Sequence, residues 1–354
     1  MKKQVNIGLI GFGVVGSGTM QLLKDNKKEI ETRVGAELNV RWVCSLDQIK
    51  PSLIFKETKR TKRWHDVIED PNVDCVVELI GGSHPAREVV MTALHAGKHV
   101  VTANKAIMAI YWKGIIGLSH RKKRLIYFEA SVGGGIPVVQ ALNEGLAGNQ
   151  VKKIIGILNG TTNFILTQMA EKGMAFEEAV SLAQASGFAE ADPTFDVEGI
   201  DSAQKIAILG SLALGKWINP SQVHCEGITK LQALDTQLIR ERLNSTVKLL
   251  AIAEHHPKGW VFRVHPALVP MDHPFANVRN EYNAVSIVGN AVGDVMLYGK
   301  GAGRLPAASA VLSDLIFLCR HVAMGTAGTL PFVPHREQAS VKMVPMSQIQ
   351  GRYY

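Results

Sequence analysis

The stretch Val5-Asn6-Ile7-Gly8-Leu9-Ile10-Gly11-Phe12-Gly13-Val14-Val15-Gly16 joins an apolar run to a Gly-x-Gly-x-x-Gly pattern, and a helical segment, Ser17–Glu31, follows. A strand that turns sharply through glycines into a helix opens a dinucleotide-binding α/β sheet. Gly11 permits the tight turn, Gly13 lets the backbone approach a pyrophosphate, and Gly16 lets helix and strand pack closely. The helix N-terminus then presents N–H groups and the positive end of its dipole to phosphates. Gly11, Phe12, Gly13, Val14, Val15 and Gly16 are therefore the candidate cofactor loop, a ligand-free glycine turn being the plainer alternative.

Outward from this loop, Leu38–Cys44, Asp74–Ile80, Lys98–Thr102 and Arg124–Ala130 read as further strands, and Ala86–Ala96, closed by Gly97, as a helix. Strands alternating with helices predict right-handed crossovers and a parallel, doubly wound, Rossmann-like sheet, hence an α/β fold. Asp47, just past the second strand, is placed to accept from the adenosine ribose hydroxyls, which favours NAD. Its charge repels the 2′-phosphate of NADP, but Lys59, Arg60 and Lys62 in the following loop offer compensation, so dual use stays open.

After Gly133-Gly134-Gly135 the character changes. Helical segments (136–146, 164–172, 176–186, 202–214) mix with strand-like runs (151–158, 260–266, 283–288), which predicts a second, α+β lobe with its own sheet. Gly299–Gly303 reads as a loop leading to an apolar helix, Ala307–Met324, that packs back on the first lobe. The expected organisation is a dinucleotide-binding domain (1–135), a substrate-binding and dimerisation domain (136–303), the returning helix (304–324) and a loop-like tail (325–354).

The 354 residues, 46% hydrophobic and 20% charged, suit a globular chain of two lobes. No apolar run approaches the roughly 18 residues of a membrane span. The N-terminal run is too short for a signal peptide and flows into the glycine motif, so a cytoplasmic location and no membrane partner are expected. Cys44, Cys75, Cys225 and Cys319 are scattered without a C-x-x-C pair, which predicts reduced, buried thiols. The net charge of +8 concentrates at Lys56–Arg63 and Arg121–Arg124. Without interleaved aromatics for base stacking, these read as solvated faces, and no nucleic-acid partner is expected.

A second informative segment is Ala189-Glu190-Ala191-Asp192-Pro193-Thr194, followed by Asp196 and Gly199-Ile200-Asp201-Ser202-Ala203-Gln204-Lys205. Acids outnumber its one lysine and sit among Gly, Ala and Pro, the composition of a site for a charged small molecule. With Val101-Thr102-Ala103-Asn104-Lys105-Ala106, Glu129-Ala130-Ser131-Val132-Gly133-Gly134-Gly135-Ile136-Pro137, Gly156-Ile157-Leu158-Asn159-Gly160-Thr161-Thr162-Asn163, Arg263-Val264-His265-Pro266 and Tyr298-Gly299-Lys300-Gly301-Ala302-Gly303, it forms a set of six motifs. In this order, across nearly the whole chain, they resemble the homoserine dehydrogenase family.

The resemblance implies reversible hydride transfer between L-homoserine and L-aspartate 4-semialdehyde with NAD or NADP, in threonine, methionine and isoleucine biosynthesis, by a homodimer joined through the second lobe. It implies Lys205 as acid/base, Glu190 and Asp201 as holders of the amino acid, and Lys105 beside cofactor and substrate. Gly187 and Gly303 correspond to backbone contacts with the nicotinamide half, to which Glu190 also belongs. Glu129, with the carbonyls of Val132, Gly134 and Ile136, corresponds to a structural monovalent cation site, usually sodium.

The residue types fit this chemistry. Reduction of an aldehyde creates an alkoxide that a positioned ammonium can protonate, and the substrate's own ammonium calls for carboxylates. Each residue also has a plainer role. Asp201 with Gln204 resembles a capping box; within the helix, Asp201 and Lys205 would share a face as a surface pair, which the apolar run Ile206-Ala207-Ile208-Leu209 disfavours because it marks the helix as largely buried. Lys105 has the alternative of a solvated lysine. Glu129 at the end of an apolar strand calls for a cation or a basic partner. Asp192 and Asp196 read as loop-shaping or network residues, and His265, His273 and His321 as structural.

Two positions depart from the family pattern. Leu46 stands where an Arg often follows the second strand, which weakens a strict NADP preference, and Ala307 replaces a common Thr after the last glycine loop. Family members with a C-terminal regulatory ACT domain continue past Arg352-Tyr353-Tyr354, so no threonine feedback through such a domain is expected here. A semialdehyde dehydrogenase that needs a thiolate nucleophile with a His partner is disfavoured, because no Cys is expected in a loop or helix start near the acidic segment. A dinucleotide-binding sensor without turnover is disfavoured by the presence of Lys105, Glu190 and Lys205.

Overall fold

The computed structural model describes residues 2–333 and 341–349. The loop-like tail expected at residues 334–340 and 350–354 lies outside them. β1 (Gln4–Ile10) turns through the glycines into α1 (Val14–Asp25) and α2 (Lys27–Val34), then β2 (Glu37–Cys44), β3 (Lys59–Thr61), α3 (Trp64–Glu69), β4 (Cys75–Glu78), α4 (Ala86–His95), β5 (His99–Thr102), α5 (Lys105–Lys122) and β6 (Ile126–Tyr127). Among the described residues these strands form one six-stranded sheet in the order β3-β2-β1-β4-β5-β6, every neighbouring pair parallel. The expected Rossmann-like sheet is thus present. Val5, Ile7, Leu9, Val76, Val77, Val100 and Val101 are all buried, as befits strands covered on both faces. The strand order reverses between β1 and β4, so a crevice opens at their carboxyl ends.

Three local differences from the sequence reading have physical causes. The helix expected over 17–31 breaks at Asn26, whose φ of −112° and ψ of 19° leave the helical region. Lys59-Arg60-Thr61 is an edge strand beside β2 rather than a loop, and its charged residues escape hydropathy because an edge is solvated. The strand expected over 124–130 shrinks to β6: Phe128, with φ −152° and ψ 34°, leads out of it into a 3₁₀ turn, Glu129–Ser131.

The chain divides into two compact units, one running through Val139 and including the segment from Gly303, the other comprising Gln140–Ala302 with the described residues 341–349. Short α6 (Val138–Gln140) runs into a wider turn, Ala141–Gly145. Then come β7 (Val151–Ile157), α7 (Gly160–Lys172), α8 (Phe176–Ala185), α9 (Thr194–Val197), α10 (Ile200–Leu214), β8 (His224–Cys225), α11 (Ala233–Leu243), β9 (Ser245–His256), β10 (Gly259–Pro270), β11 (Tyr282–Gly289) and β12 (Gly293–Lys300). The second sheet, in the order β12-β11-β7-β9-β10-β8, is mixed, with only β8 parallel to its neighbour β10. α7, α10 and α11 pack on its central strands. Gly299 and Lys300, read as loop, end β12, and β9 was not foreseen because Lys248 interrupts it and its apolar run, Leu249–Ala253, shows no alternation.

α12 (Arg304–Met324) belongs to the first unit, where it packs on α1 and α2. Its length and mean hydropathy of 1.4 match a membrane span, contrary to the sequence expectation, yet 56% of that window is buried in the protein. Packing accounts for its apolar composition.

Candidate active site

In the first unit, Gly11 has φ +97°, and a Cβ there would lie 2.5 Å from the carbonyl carbon of Leu79. Both backbone angle and space demand glycine. A Cβ on Gly16 would run into the carbonyl oxygen of Gly11, so this glycine closes the turn. Around Gly13 the corresponding space is open. Gly13 is the N-cap of α1, and no side chain caps that helix. Phe12, Val14 and Val15 complete the turn, and Val14 is 66% exposed. The result is a helix N-terminus with open backbone approach, suited to an anion.

Asp47 lies in the exposed loop after β2, its N–H donating to Ser45 Oγ at 3.2 Å. Lys59 and Arg60 sit on the adjoining β3; Lys59 Nζ covers the Trp42 ring at 5.1 Å and Arg60 donates to Ile49 O at 3.4 Å. Lys105 is the first residue of α5 and half-buried. A cation in a first helical turn opposes the helix dipole at a cost of about 0.3–1 kcal/mol, so the position is not one a merely solvated lysine would favour.

Glu129 heads the 3₁₀ turn and is 1% exposed. Its Oε1 accepts from Val139 N–H at 2.8 Å, and its N–H donates to Asp314 Oδ2 at 2.7 Å. Val132, Gly134 and Ile136 lie in the bends and turn that follow the 3₁₀ turn, the Ile136 carbonyl accepting from Val138 N–H at 2.8 Å. Gly303 is the N-cap of α12.

In the second unit, α10 carries the charged pair. Lys205 Nζ donates to Asp201 Oδ2 and to Leu158 O, each at 2.7 Å. Asp201 is the second residue of α10, not its cap, which is Gly199; the capping-box alternative fails. The pair is also not a surface one, with side-chain exposures of 12% for Lys205 and 2% for Asp201. Two of the ammonium's three donors are used, leaving one for transfer.

Asn159, quoted only as part of a motif, proves central. Its Nδ2 donates to Asp201 Oδ2 at 2.9 Å and to Asp196 Oδ1 at 2.6 Å, while its Oδ1 caps α7 by accepting from Thr162 N–H at 2.8 Å. Reading Asn159 as an N-cap would have found it and would have started α7 four residues earlier than Phe164. Asp192 is loop-shaping: its carboxylate accepts from Thr194 N–H at 3.0 Å, and the hydrogen bonds from Thr194 hold its pKa down.

Glu190 is exposed, and among the described residues its carboxylate has no ion-pair partner; only its carbonyl is held, by Gln184 Nε2 at 3.1 Å. Gly187, at φ +75°, ends α8 in a Schellman pattern, its N–H donating to Gln184 O and that of Phe188 to Ala183 O. A local role for this glycine is therefore complete without a ligand.

Cys225 requires a correction. It is exposed rather than buried and lies against the acidic segment, its thiol donating to Glu198 O at 3.1 Å. Although the residue is exposed, its sulfur is partly shielded beside Gly199 and Glu198; that desolvation, reinforced by the Glu198 charge, pushes its pKa up to about 11, so it is a thiol and not a nucleophilic thiolate at neutral pH. Cys44, Cys75 and Cys319 are buried and free. His273 Nδ1 accepts from Phe275 N–H, and burial lowers the His265 pKa; both are structural. Among the described residues no group of three His, Cys, Asp or Glu side chains is placed to hold a metal.

The homoserine dehydrogenase family model matches residues 137–316, and the model of the NAD binding domain of homoserine dehydrogenase matches residues 11–129. The chain is 44% identical to a homoserine dehydrogenase of Neisseria gonorrhoeae over 99% of its own length and 81% of the relative. It is 40% identical to one of Bacillus subtilis over 95% and 78%. Among solved structures, a homoserine dehydrogenase from Thiobacillus denitrificans superposes with a TM-score of 0.93 at 41% identity, over 98% of this chain and 81% of that one. A hyperthermophilic archaeal homoserine dehydrogenase in complex with NADPH superposes with a TM-score of 0.74 at 28% identity, over 88% and 97%.

Proposed function

This chain belongs to the homoserine dehydrogenase family, and on that premise we propose that Lys205 and Lys105 carry its reaction. The reaction is the reversible, NAD(P)-dependent interconversion of L-homoserine and L-aspartate 4-semialdehyde. The bound dinucleotide supplies or accepts the hydride at its nicotinamide ring. As the aldehyde carbon takes hydride, Lys205 delivers its free proton to the carbonyl oxygen; in the other direction it removes the hydroxyl proton. Asp201 and the Leu158 carbonyl orient that amine. Glu190, exposed and unpaired, binds the substrate ammonium together with Asp201. The observation that carries this reading is the buried Lys205–Asp201 pair, because a lysine held by two acceptors keeps one directed proton.

The pyrophosphate is assigned to residues 11–16 of the first unit, and the nicotinamide half to Lys105 and Gly303 of that unit with Gly187 and Glu190 of the second. Asp47 favours NAD, with Lys59 and Arg60 on the neighbouring strand allowing NADP. A paired assay of homoserine oxidation with each dinucleotide tests activity and preference together; no turnover with either removes the reading.

Glu129 and the carbonyls of Val132, Gly134 and Ile136 suit a hard monovalent cation such as sodium, since all are oxygen donors within eight residues of chain and the carboxylate is buried. A higher Tm in sodium chloride than in choline chloride, lost in Glu129→Gln, is the expected signature. The second unit supports a homodimer: β12 is an eight-residue edge strand with Tyr298 56% exposed. Sedimentation at micromolar concentration checks it. The substrate pair supports a place in threonine, methionine and isoleucine biosynthesis, and a cytoplasmic location is proposed with it.

A further inference from the structure

One carboxylate that the reaction does not use lies beneath the crevice of the first unit. Glu78 ends β4, the strand beside β1 where the sheet order reverses, and it is 0% exposed. Its Oε2 accepts from Thr102 Oγ1 at 2.6 Å and its Oε1 from Ile80 N–H at 2.7 Å. Gly81 N–H and the Asn104 side chain also donate to it. Thr102 Oγ1 in turn accepts from Asn104 N–H at 3.0 Å. Asn104 caps α5, its Oδ1 accepting from Ile107 N–H at 3.2 Å, and its Nδ2 donates to Gly82 O at 2.7 Å. Lys105 is the next residue. One side chain therefore ties the loop 79–82, whose backbone presses on Gly11, to the turn that launches Lys105.

Burial pushes the Glu78 pKa up and these donors pull it down, so ionising the group is opposed by its surroundings. A hub needed only for packing would be served as well by a neutral amide. A carboxylate differs in being acceptor-only, which fixes the direction of each partner. The Thr102 hydroxyl points its proton at Glu78 while a lone pair accepts from Asn104 N–H, and the Asn104 amide nitrogen faces Glu78 and Gly82 O, which leaves the Asn104 oxygen for the helix cap. An amide at position 78 would turn an N–H of its own toward Thr102, Asn104 or the N–H groups of Ile80 and Gly81, so at least one of these donors loses its acceptor.

We propose that Glu78 is a positioning residue of the dehydrogenase reaction, acting through Thr102 and Asn104 on the placement of Lys105. It rests on the role assigned to Lys105 above. The test is kcat at saturating homoserine and dinucleotide, with Tm, for Glu78→Gln, Lys105→Ala and the double variant of the full chain. Glu78→Gln lowers kcat by about tenfold or more, since small misplacements of reacting groups are costly. Its Tm is unchanged or higher, because a carboxylate whose ionisation its buried surroundings oppose is gone. In the double variant it adds less than about a twofold loss to that of Lys105→Ala, the mark of residues acting in series. Equal losses in both backgrounds overturn the proposal. Parental kcat in Glu78→Gln beside an impaired Lys105→Ala overturns it alone, whereas parental kcat in Lys105→Ala removes the lysine's role and the proposal together. Where Glu78→Gln does not fold, Thr102→Val breaks the same chain from its other end, and parental kcat there is equally fatal.

Discussion

Lys205 Nζ stands 2.7 Å from Asp201 Oδ2, one turn apart on α10, and the Leu158 carbonyl holds the same amine at the same distance. General acid–base catalysis contributes about 10²–10⁴ in rate, so Lys205→Ala lowers kcat at least about a hundredfold. Dinucleotide affinity, assigned to the glycine loop, stays within about threefold, as fluorescence titration would report. Turnover near the parental rate removes Lys205 from the chemistry.

Asp201→Ala makes a separate prediction about stability. It leaves the ammonium with the Leu158 carbonyl but no counter-charge, in a site where the lysine side chain is 12% exposed. Breaking a buried pair in this way costs about 3–5 kcal/mol, and the partial exposure of Lys205 argues for the lower end. Urea unfolding checks it; a loss under about 1 kcal/mol, the range of exposed pairs, would show that the pair behaves as a surface one.

The two glycines of the first turn separate folding from binding. Gly11→Ala forces a Cβ against Leu79 at φ +97° and loses at least about 1–2 kcal/mol of stability. Gly13→Ala meets no protein atom within 4 Å, so the fold tolerates it. The methyl instead occupies the space assigned to the pyrophosphate, and NAD(P) affinity falls at least about tenfold. Unchanged affinity in a folded Gly13→Ala enzyme places the phosphates elsewhere.

The first sheet was legible in the sequence because buried parallel strands are short unbroken apolar runs, as in Val76-Val77 and Val100-Val101, punctuated by glycine turns. What escaped was Lys59-Arg60-Thr61 at the solvated sheet edge, and β9, where Lys248 interrupts the apolar residues and the run Leu249–Ala253 shows no period. Lys205 and Asp201 were legible because a spacing of four puts them on one helix face. Their burial was legible too, from the apolar run Ile206-Ala207-Ile208-Leu209 that follows; their partners were not, since Leu158 and Asn159 lie 47 and 42 residues away along the chain. Cys225 shows the same limit: close to the acidic segment in space, 27 residues from Glu198 in sequence.

That cysteine supplies a further prediction. With its pKa near 11, Cys225 is protonated at neutral pH. Cys225→Ser therefore keeps kcat within about twofold, and iodoacetamide at pH 7 modifies the exposed thiol slowly, as a thiol rather than a thiolate reacts. A collapse of turnover in Cys225→Ser would instead favour covalent thiolate chemistry.

Lys248 on β9 gives the protein a pH signature remote from the reacting groups. It is 3% exposed, its amine donating to Asn163 Oδ1 at 3.1 Å and to Val278 O at 2.5 Å. Burial lowers its pKa from 10.5 to about 8, with Glu171 opposing and Arg279 assisting. Below about pH 8 the amine is charged in both folded and unfolded chains, and folding bears the full cost of burying it, an upper bound of about 3 kcal/mol. Between about pH 8 and 10.5 the folded chain sheds this proton first, the unfolded chain binds more protons, and stability rises with pH. Lys248→Met removes that contribution. The unfolding free energy of the parent minus that of the variant should therefore rise by about 2 kcal/mol from pH 7.5 to 10. A difference that stays flat over this range, or falls, would mean that Lys248 remains charged in the folded sheet throughout, held by Asn163 and Val278 strongly enough to offset its burial.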